Sequence, residues 1–182
     1  MIKATETELK GCFILEPKLF EDERGYFFES YNKKDFCEAI GREVNFVQDN
    51  ISHSKRGVLR GLHFQKGEHA QAKLVSVLLG KIQDVVVDLR KDSPTFGRHL
   101  SIELNDENKK QLFVPRGFAH GFLTLSESAQ VFYKCDNYYN SQTESGIRYD
   151  DTMLAIDWSI KTKEIFKSTK DKLLPSFREV MK

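Results

Sequence analysis

Between residues 73 and 135 the chain is a series of short apolar runs, each closed by turn-forming residues, and this rhythm limits the fold more than any other feature. Residues 73–79 are followed by Gly80-Lys81 and then by a second run over 82–89. Residues 100–104 end at Asn105-Asp106-Glu107-Asn108, 111–114 at Pro115-Arg116-Gly117, and 119–125 at Ser126-Glu127-Ser128, after which 129–135 form a further run. Many short strands at even spacing suggest a sandwich or barrel, and a jelly roll is one common closure. β-Branched residues on both sides of Gly80 predict a hairpin between the first two runs. In the second run Ile82, Asp84, Val86 and Asp88 share one face, while Gln83, Val85, Val87 and Leu89 share the other. Two carboxylates on an otherwise apolar face need partners wherever that face is enclosed.

Helix is scarce, so the expected class is mainly β with a few short helices. Asn32 can cap one, with Asp35 in its first turn, Phe36 and Ile40 on one face and Gly41 as the stop. Residues 161–172 read as another short helix or a charged loop. No internal repeat, low-complexity tract or composition break divides the chain, and 182 residues suit a single domain, 1–182.

A formal net charge of +1 argues against a dedicated nucleic-acid binder. It leaves room for an anion site, because a few placed cations can bind a diphosphate without moving the total. The amino-terminal MIKATETELKG is too polar for a signal peptide, and no apolar run approaches the ~18 residues of a membrane span. Cys12, Cys37 and Cys135 are odd in number and widely spaced, without a CxxC pair, which favours reduced structural thiols. Together these readings give a cytoplasmic protein that binds neither nucleic acid nor membrane.

Chemistry concentrates in two segments. Residues 57–65, GVLRGLHFQ, place Arg60 and His63 three apart with Gly61 between them. On a regular strand the two side chains would point to opposite faces, so convergence on one ligand needs a bulge, and Gly61 is the place for it. The plain alternative is an edge strand with a surface arginine and a satisfied histidine. Residues 115–122, PRGFAHGF, set His120 past a tight turn, where it is either structural or functional.

These segments resemble the paired signatures of the cupin superfamily: Gly57 with His63, then Pro115, Gly117 and His120. Metal-binding cupins carry His-x-His and a glutamate in the first signature. Here Gln65 stands at the second histidine and the glutamate is not at the expected spacing, so the reading is metal-free. The whole chain is similar to the dTDP-4-dehydrorhamnose 3,5-epimerase family, which acts in the third step toward dTDP-L-rhamnose. The matching stretches are DERGYFFESY (22–31), FVQDN (46–50), VLRGLHFQ (58–65), DVVVDLRKDSPTFG (84–97), VPRGFAHGFLTLSE (114–127) and YKCDNYY (133–139), in family order. The stretch after Trp158 diverges.

The resemblance implies a cupin-type double-stranded β-helix (jelly roll) that inverts carbons beside the keto group of a dTDP-linked 4-keto-6-deoxyhexose. Such epimerisation needs a base, a group opposing enolate charge, and an acid on the opposite face. It needs no cofactor when the ketone is already present. By resemblance His63 is the base, Tyr133 the acid and Lys73 the cation near the keto oxygen. Asp171 matches the carboxylate that holds His63, through a one-residue shift, with Asp84 as the alternative partner. Arg24 and Arg60 suit the diphosphate, since a guanidinium fork matches phosphate oxygens. Glu29, Gln48, Asp49 and Asn50 resemble base-contacting residues, and Tyr139 the thymine-stacking ring. His120 is placed at the sugar or its phosphate, with Glu144 and Lys170 as peripheral contacts. The family's homodimers pair amino-terminal strands across the interface, so Arg24 and Glu29 are expected to serve the neighbour's pocket. Rival readings are an epimerase of one centre only, a GDP-sugar variant, a binding cupin without catalysis, and a metal-dependent dioxygenase, which Gln65 disfavours.

Overall fold

The computed structural model describes residues 2–182, whose regular structure is mainly antiparallel strands. In chain order these are β1 (Lys3–Glu6), β2 (Phe13–Glu16), β3 (Phe20–Asp22), β4 (Gly25–Phe27), β5 (Gln48–Lys55), β6 (Leu59–Gln65), β7 (Lys73–Leu79), β8 (Lys81–Asp88), β9 (His99–Asn105), β10 (Gln111–Val114), β11 (Phe118–Thr124), β12 (Ser128–Cys135) and β13 (Glu144–Gly146). Among the described residues there are two short α-helices, α1 (Lys33–Ile40) and α2 (Phe177–Val180), and a few 3-10 turns. A six-stranded sheet runs β1-β2-β10-β7-β12-β5 and a five-stranded sheet runs β13-β6-β11-β8-β9. Strands distant in sequence lie side by side in both sheets, the arrangement of a cupin jelly roll.

The expected hairpin between the runs at 73–79 and 82–89 does not form. β7 belongs to the six-stranded sheet and β8 to the five-stranded one, so Gly80 is a corner between sheets. Gly80 sits at φ +78°, and a Cβ there would collide with the Ser128 carbonyl and the Ser126 hydroxyl. Its N–H donates to Asp106 Oδ2 at 2.9 Å, and the Lys81 N–H donates to Ser126 Oγ at 2.8 Å. A glycine break between two β-branched runs signals a reversal, but it does not say which sheet each run joins.

Both faces of β8 are buried, which explains why Val85, Val86 and Val87 run consecutively without a polar residue between them. Ile82 and Val86 join Val75, Val77, Leu112 and Val131 between the sheets. Val85 and Val87 point outward and are covered by Leu154 and Phe177 of the carboxyl-terminal segment. Helix α1 packs Phe36 and Ile40 on the outer face of the six-stranded sheet, against Leu15, Leu74 and Phe113. Each such apolar side chain contributes about 1.5–3 kcal/mol on burial. The helix ends match the sequence signals: Asn32 accepts from the Lys34 and Asp35 N–H groups, and Gly41 takes φ 71°. Residues 161–172 form no single helix. Two 3-10 turns, Thr162–Glu164 and Asp171–Leu173, flank a segment in which Phe166 bridges Val58 in parallel. Among the described residues β3 and β4 pair only with each other, as a two-stranded ribbon.

Candidate active site

The site begins with an irregularity in β6. Opposite it on β11, His120 faces His63 and Phe122 faces Arg60, so Gly61 and Leu62 are opposed by Gly121 alone. This is a bulge, at the place the sequence predicts. Gly61 adopts φ +121° and packs so closely on β11 that a Cβ would lie 2.6 Å from Gly121 Cα. The extra residue turns Arg60 and His63 into one cavity, which they line together.

That cavity, about 470 Å³, lies between the sheets, and Lys73, His120, Tyr133, Lys170 and Asp171 also line it. A smaller space of about 250 Å³ adjoins it and contains Gln48, Asn50, Tyr139 and Glu144. His63, Lys73 and Tyr133 line both and so form their common wall. His63 comes from β6 of the five-stranded sheet, whereas Lys73 and Tyr133 come from β7 and β12 of the six-stranded sheet. The histidine therefore faces the phenol and the amine across the gap.

His63 Nε2 lies 2.6 Å from Asp171 Oδ1. Burial works to raise the Asp171 pKa, but the bond and charge of His63, the Ser168 hydroxyl and the Gly61 N–H outweigh it, and the carboxyl sits below its usual range. A carboxylate held in that way fixes the imidazole tautomer and stabilises its protonated form. Asp84, the alternative partner, serves the other histidine instead: His120 Nε2 lies 2.7 Å from Asp84 Oδ1, in a pair that is almost wholly buried. The second carboxylate on that face, Asp88, is met by Arg90, Ser93 and Thr95. Lys73 Nζ lies 5.6 Å from the Tyr133 ring centroid. Burial pulls the Lys73 pKa down and pushes the Tyr133 pKa up, since each loses hydration in its charged form.

The residues expected to bind ligand divide into three groups. Arg60, Gln48, Asn50, His120, Tyr139, Glu144 and Lys170 line the two spaces. Asp49 does not: strand alternation sends Gln48 and Asn50 inward and Asp49 outward, where it pairs with Lys134 at 2.8 Å. Arg24 and Glu29 are also remote from His63. Arg24 sits at the exposed β3–β4 turn paired with Asp22, and Glu29 lines a separate cavity beside α1. Ser52, Phe122, Phe166 and Ser168 line the main cavity without having been singled out. Ser52 was within reach, being two residues beyond Asn50 on the same strand face. Phe166 and Ser168 carry no local signal. Among the described residues no three His, Cys, Asp or Glu side chains gather at metal-binding distance.

A jelly roll holding a carboxylate-oriented histidine opposite a phenol and an amine defines a cupin-type isomerase, a device for moving protons at a carbon acid. A model of the dTDP-4-dehydrorhamnose 3,5-epimerase family matches residues 6–179. The dTDP-4-dehydrorhamnose 3,5-epimerase of Salmonella typhimurium is 55% identical over 158 residues, 87% of this chain and 86% of that protein. The crystal structure of the enzyme of that name from Elizabethkingia anophelis NUHP1 is 56% identical, with a TM-score of 0.94, covering 98% of this chain and 97% of that one. A dTDP-6-deoxy-D-glucose-3,5-epimerase from Legionella pneumophila, solved in complex with dTDP-4-keto-L-rhamnose, is 45% identical, with a TM-score of 0.93 over 98% and 94% of the two chains. The chain belongs to the dTDP-4-dehydrorhamnose 3,5-epimerase family.

Proposed function

We infer that this chain converts dTDP-4-keto-6-deoxy-D-glucose to dTDP-4-keto-L-rhamnose, inverting C3 and C5 through enolate intermediates. The observation that carries this reading is the His63–Asp171 pair facing Tyr133 and Lys73 from the opposite sheet. His63 takes the proton beside the ketone, and Asp171 opposes the charge that the imidazole gains. Lys73 stabilises the oxygen as negative charge moves onto it, the more strongly for being shielded from water. Tyr133 returns a proton to the face opposite the base. The ketone alone acidifies the carbon, so this sequence of steps calls for no cofactor.

Arg60 and His120 hold the diphosphate and sugar, Gln48 and Asn50 contact the nucleobase, Tyr139 stacks on it, and Glu144 and Lys170 are peripheral contacts. Asp49 is not carried into the site, because it faces the other side of β5. Arg24 and Glu29 complete the neighbour's pocket in a homodimer. An isolated two-stranded ribbon is at best marginally stable in water, and exposed Phe20, Tyr26 and Phe27 give the β3–β4 ribbon an apolar surface for a second copy. We read residues 1–182 as one catalytic domain working in the cytoplasm. Three free, buried cysteines suit a reducing compartment, and no helix among the described residues is long and apolar enough to cross a membrane.

The test is incubation with dTDP-4-keto-6-deoxy-D-glucose in D2O, following deuterium entry by NMR. Label at both C3 and C5 is the expected outcome. Label at one carbon makes this a single-centre epimerase, and none at either removes the substrate.

A further inference from the structure

We propose that Glu144 is a positioning residue that couples the Tyr139 ring to the His63–Asp171 pair. The proposal rests on reading the cavity as an epimerase site with Tyr139 under the base. Asp171 stands in a short turn that closes on itself, through Asp171 N–H to Ser168 Oγ at 3.0 Å and Leu173 N–H to Lys170 O at 3.1 Å. Besides the Gly61 N–H bond to the Asp171 carboxyl, two side-chain-to-side-chain ties hold this turn against the barrel. One is Asp171 to His63 at 2.6 Å, and the other is the ion pair of Lys170 Nζ with Glu144 Oε2.

The same Glu144 oxygen accepts the Tyr139 hydroxyl at 2.5 Å. The aromatic platform and the turn bearing Asp171 therefore meet on one atom. Of the two ionic partners the carboxylate is the sheltered one, 14% exposed against 57% for Lys170. It is also the anchored one. Strand β13 pairs with β6 so that Glu144 lies opposite Gln65 and Gly146 opposite His63. Burial alone would raise the Glu144 pKa, but the bonds from Lys170 and Tyr139 outweigh it, so the group is ionised at neutral pH.

A base stacked on Tyr139 fixes its ring, and through the hydroxyl it fixes Glu144. Glu144 in turn fixes Lys170, the neighbour of Asp171. Binding energy from the remote nucleoside is thereby turned into orientation of the base, where small misplacements are expensive in rate. Stacking alone would need the ring and have no use for the hydroxyl.

Tyr139→Phe keeps the ring and removes the hydroxyl, while Glu144→Gln keeps the shape and removes the charge. Both variants and their combination are to be compared for kcat, KM and the dissociation constant of dTDP. Each single change is expected to lower kcat about twofold to fivefold, the scale of a partly exposed ion pair. Affinity for dTDP should move less than about twofold, since the stacking surface persists. The double variant should be no slower than the slower single, because both break one linkage. The coupling is overturned if Tyr139→Phe retains wild-type kcat, if losses appear only in KM and dTDP affinity, or if the two effects multiply. Deuterium entry with the wild-type enzyme tests the underlying reading separately, and its absence would remove that reading and the coupling together.

Discussion

At the scale of single residues, the chemistry depends on which carboxylate holds which histidine. Each histidine has its own, Asp171 for His63 and Asp84 for His120. The Asp84 assignment was half-legible in sequence: strand alternation showed that its face needed a partner, but not which histidine would supply it. Asp171 lies 108 residues from His63 and no local pattern joins them, so only the family resemblance could find it. Asp49 shows the opposite failure, because alternation on β5 alone separates it from Gln48 and Asn50. Asp171→Asn should lower kcat about 10²–10⁴-fold, the range of a general acid–base contribution. An amide there can hold the wrong tautomer and cannot oppose the imidazolium charge. Affinity for dTDP should stay near wild type, since Asp171 lines the main cavity and not the space bearing Tyr139. Steady-state kinetics beside dTDP titration measures both, and a variant within tenfold of wild-type kcat would remove Asp171 from the role.

At the scale of elements, the sequence told where strands begin and end better than where they go. The runs at 100–104, 111–114, 119–125 and 129–135 lie on β9 to β12, and the Gly61 bulge falls as expected. Gly80 misled because a turn and an inter-sheet corner share the same residue preferences, and only long-range packing distinguishes them. The end of β8 offers a stability test. Asp88 is fully buried and accepts from the Arg90 guanidinium, Ser93 and Thr95, and Arg90 also donates to Lys10 O, tying the β1–β2 turn to β8. Burial would raise the Asp88 pKa, yet these donors hold it down at about 2. A depressed pKa means that the contribution, about 2 kcal/mol, is complete above the unfolded-state value near ~4 and is lost as pH falls toward 2. Asp88→Asn should therefore lower the unfolding free energy by about 2–4 kcal/mol at neutral pH, because it also leaves Arg90 without its charge partner. Urea unfolding of both proteins from pH 7 downward should show a constant gap above about pH 5 that narrows below ~4. A gap that does not vary with pH would show that the charge of Asp88 contributes nothing.

At the scale of the whole molecule, one chain gathers His63, Lys73, Tyr133 and Asp171, the groups proposed to move protons, around one cavity but leaves Arg24 and Glu29 outside it. Among the described residues the ribbon that carries Arg24 pairs with no other strand, and it exposes Phe20 and Phe27. A single sequence cannot show whether a motif acts in its own subunit or the next, because both arrangements demand the same residues. Complementation can decide it. If, as proposed, each ribbon of a two-fold dimer reaches the other subunit's cavity, Arg24→Ala and His63→Ala homodimers each have two defective sites. A hybrid of the two has one site with neither group and one with both, His63 from the Arg24→Ala subunit and Arg24 from its neighbour. Random reassembly of equal amounts makes about half the dimers hybrid, each with one working site, so activity should rise to about one quarter of wild type. Mixing, mild denaturation and refolding followed by a turnover assay measures this. If Arg24 served its own chain, the hybrid would contain no complete site. Activity would then stay at the mean of the two parents, and the exchange of ribbons between subunits would have to be abandoned.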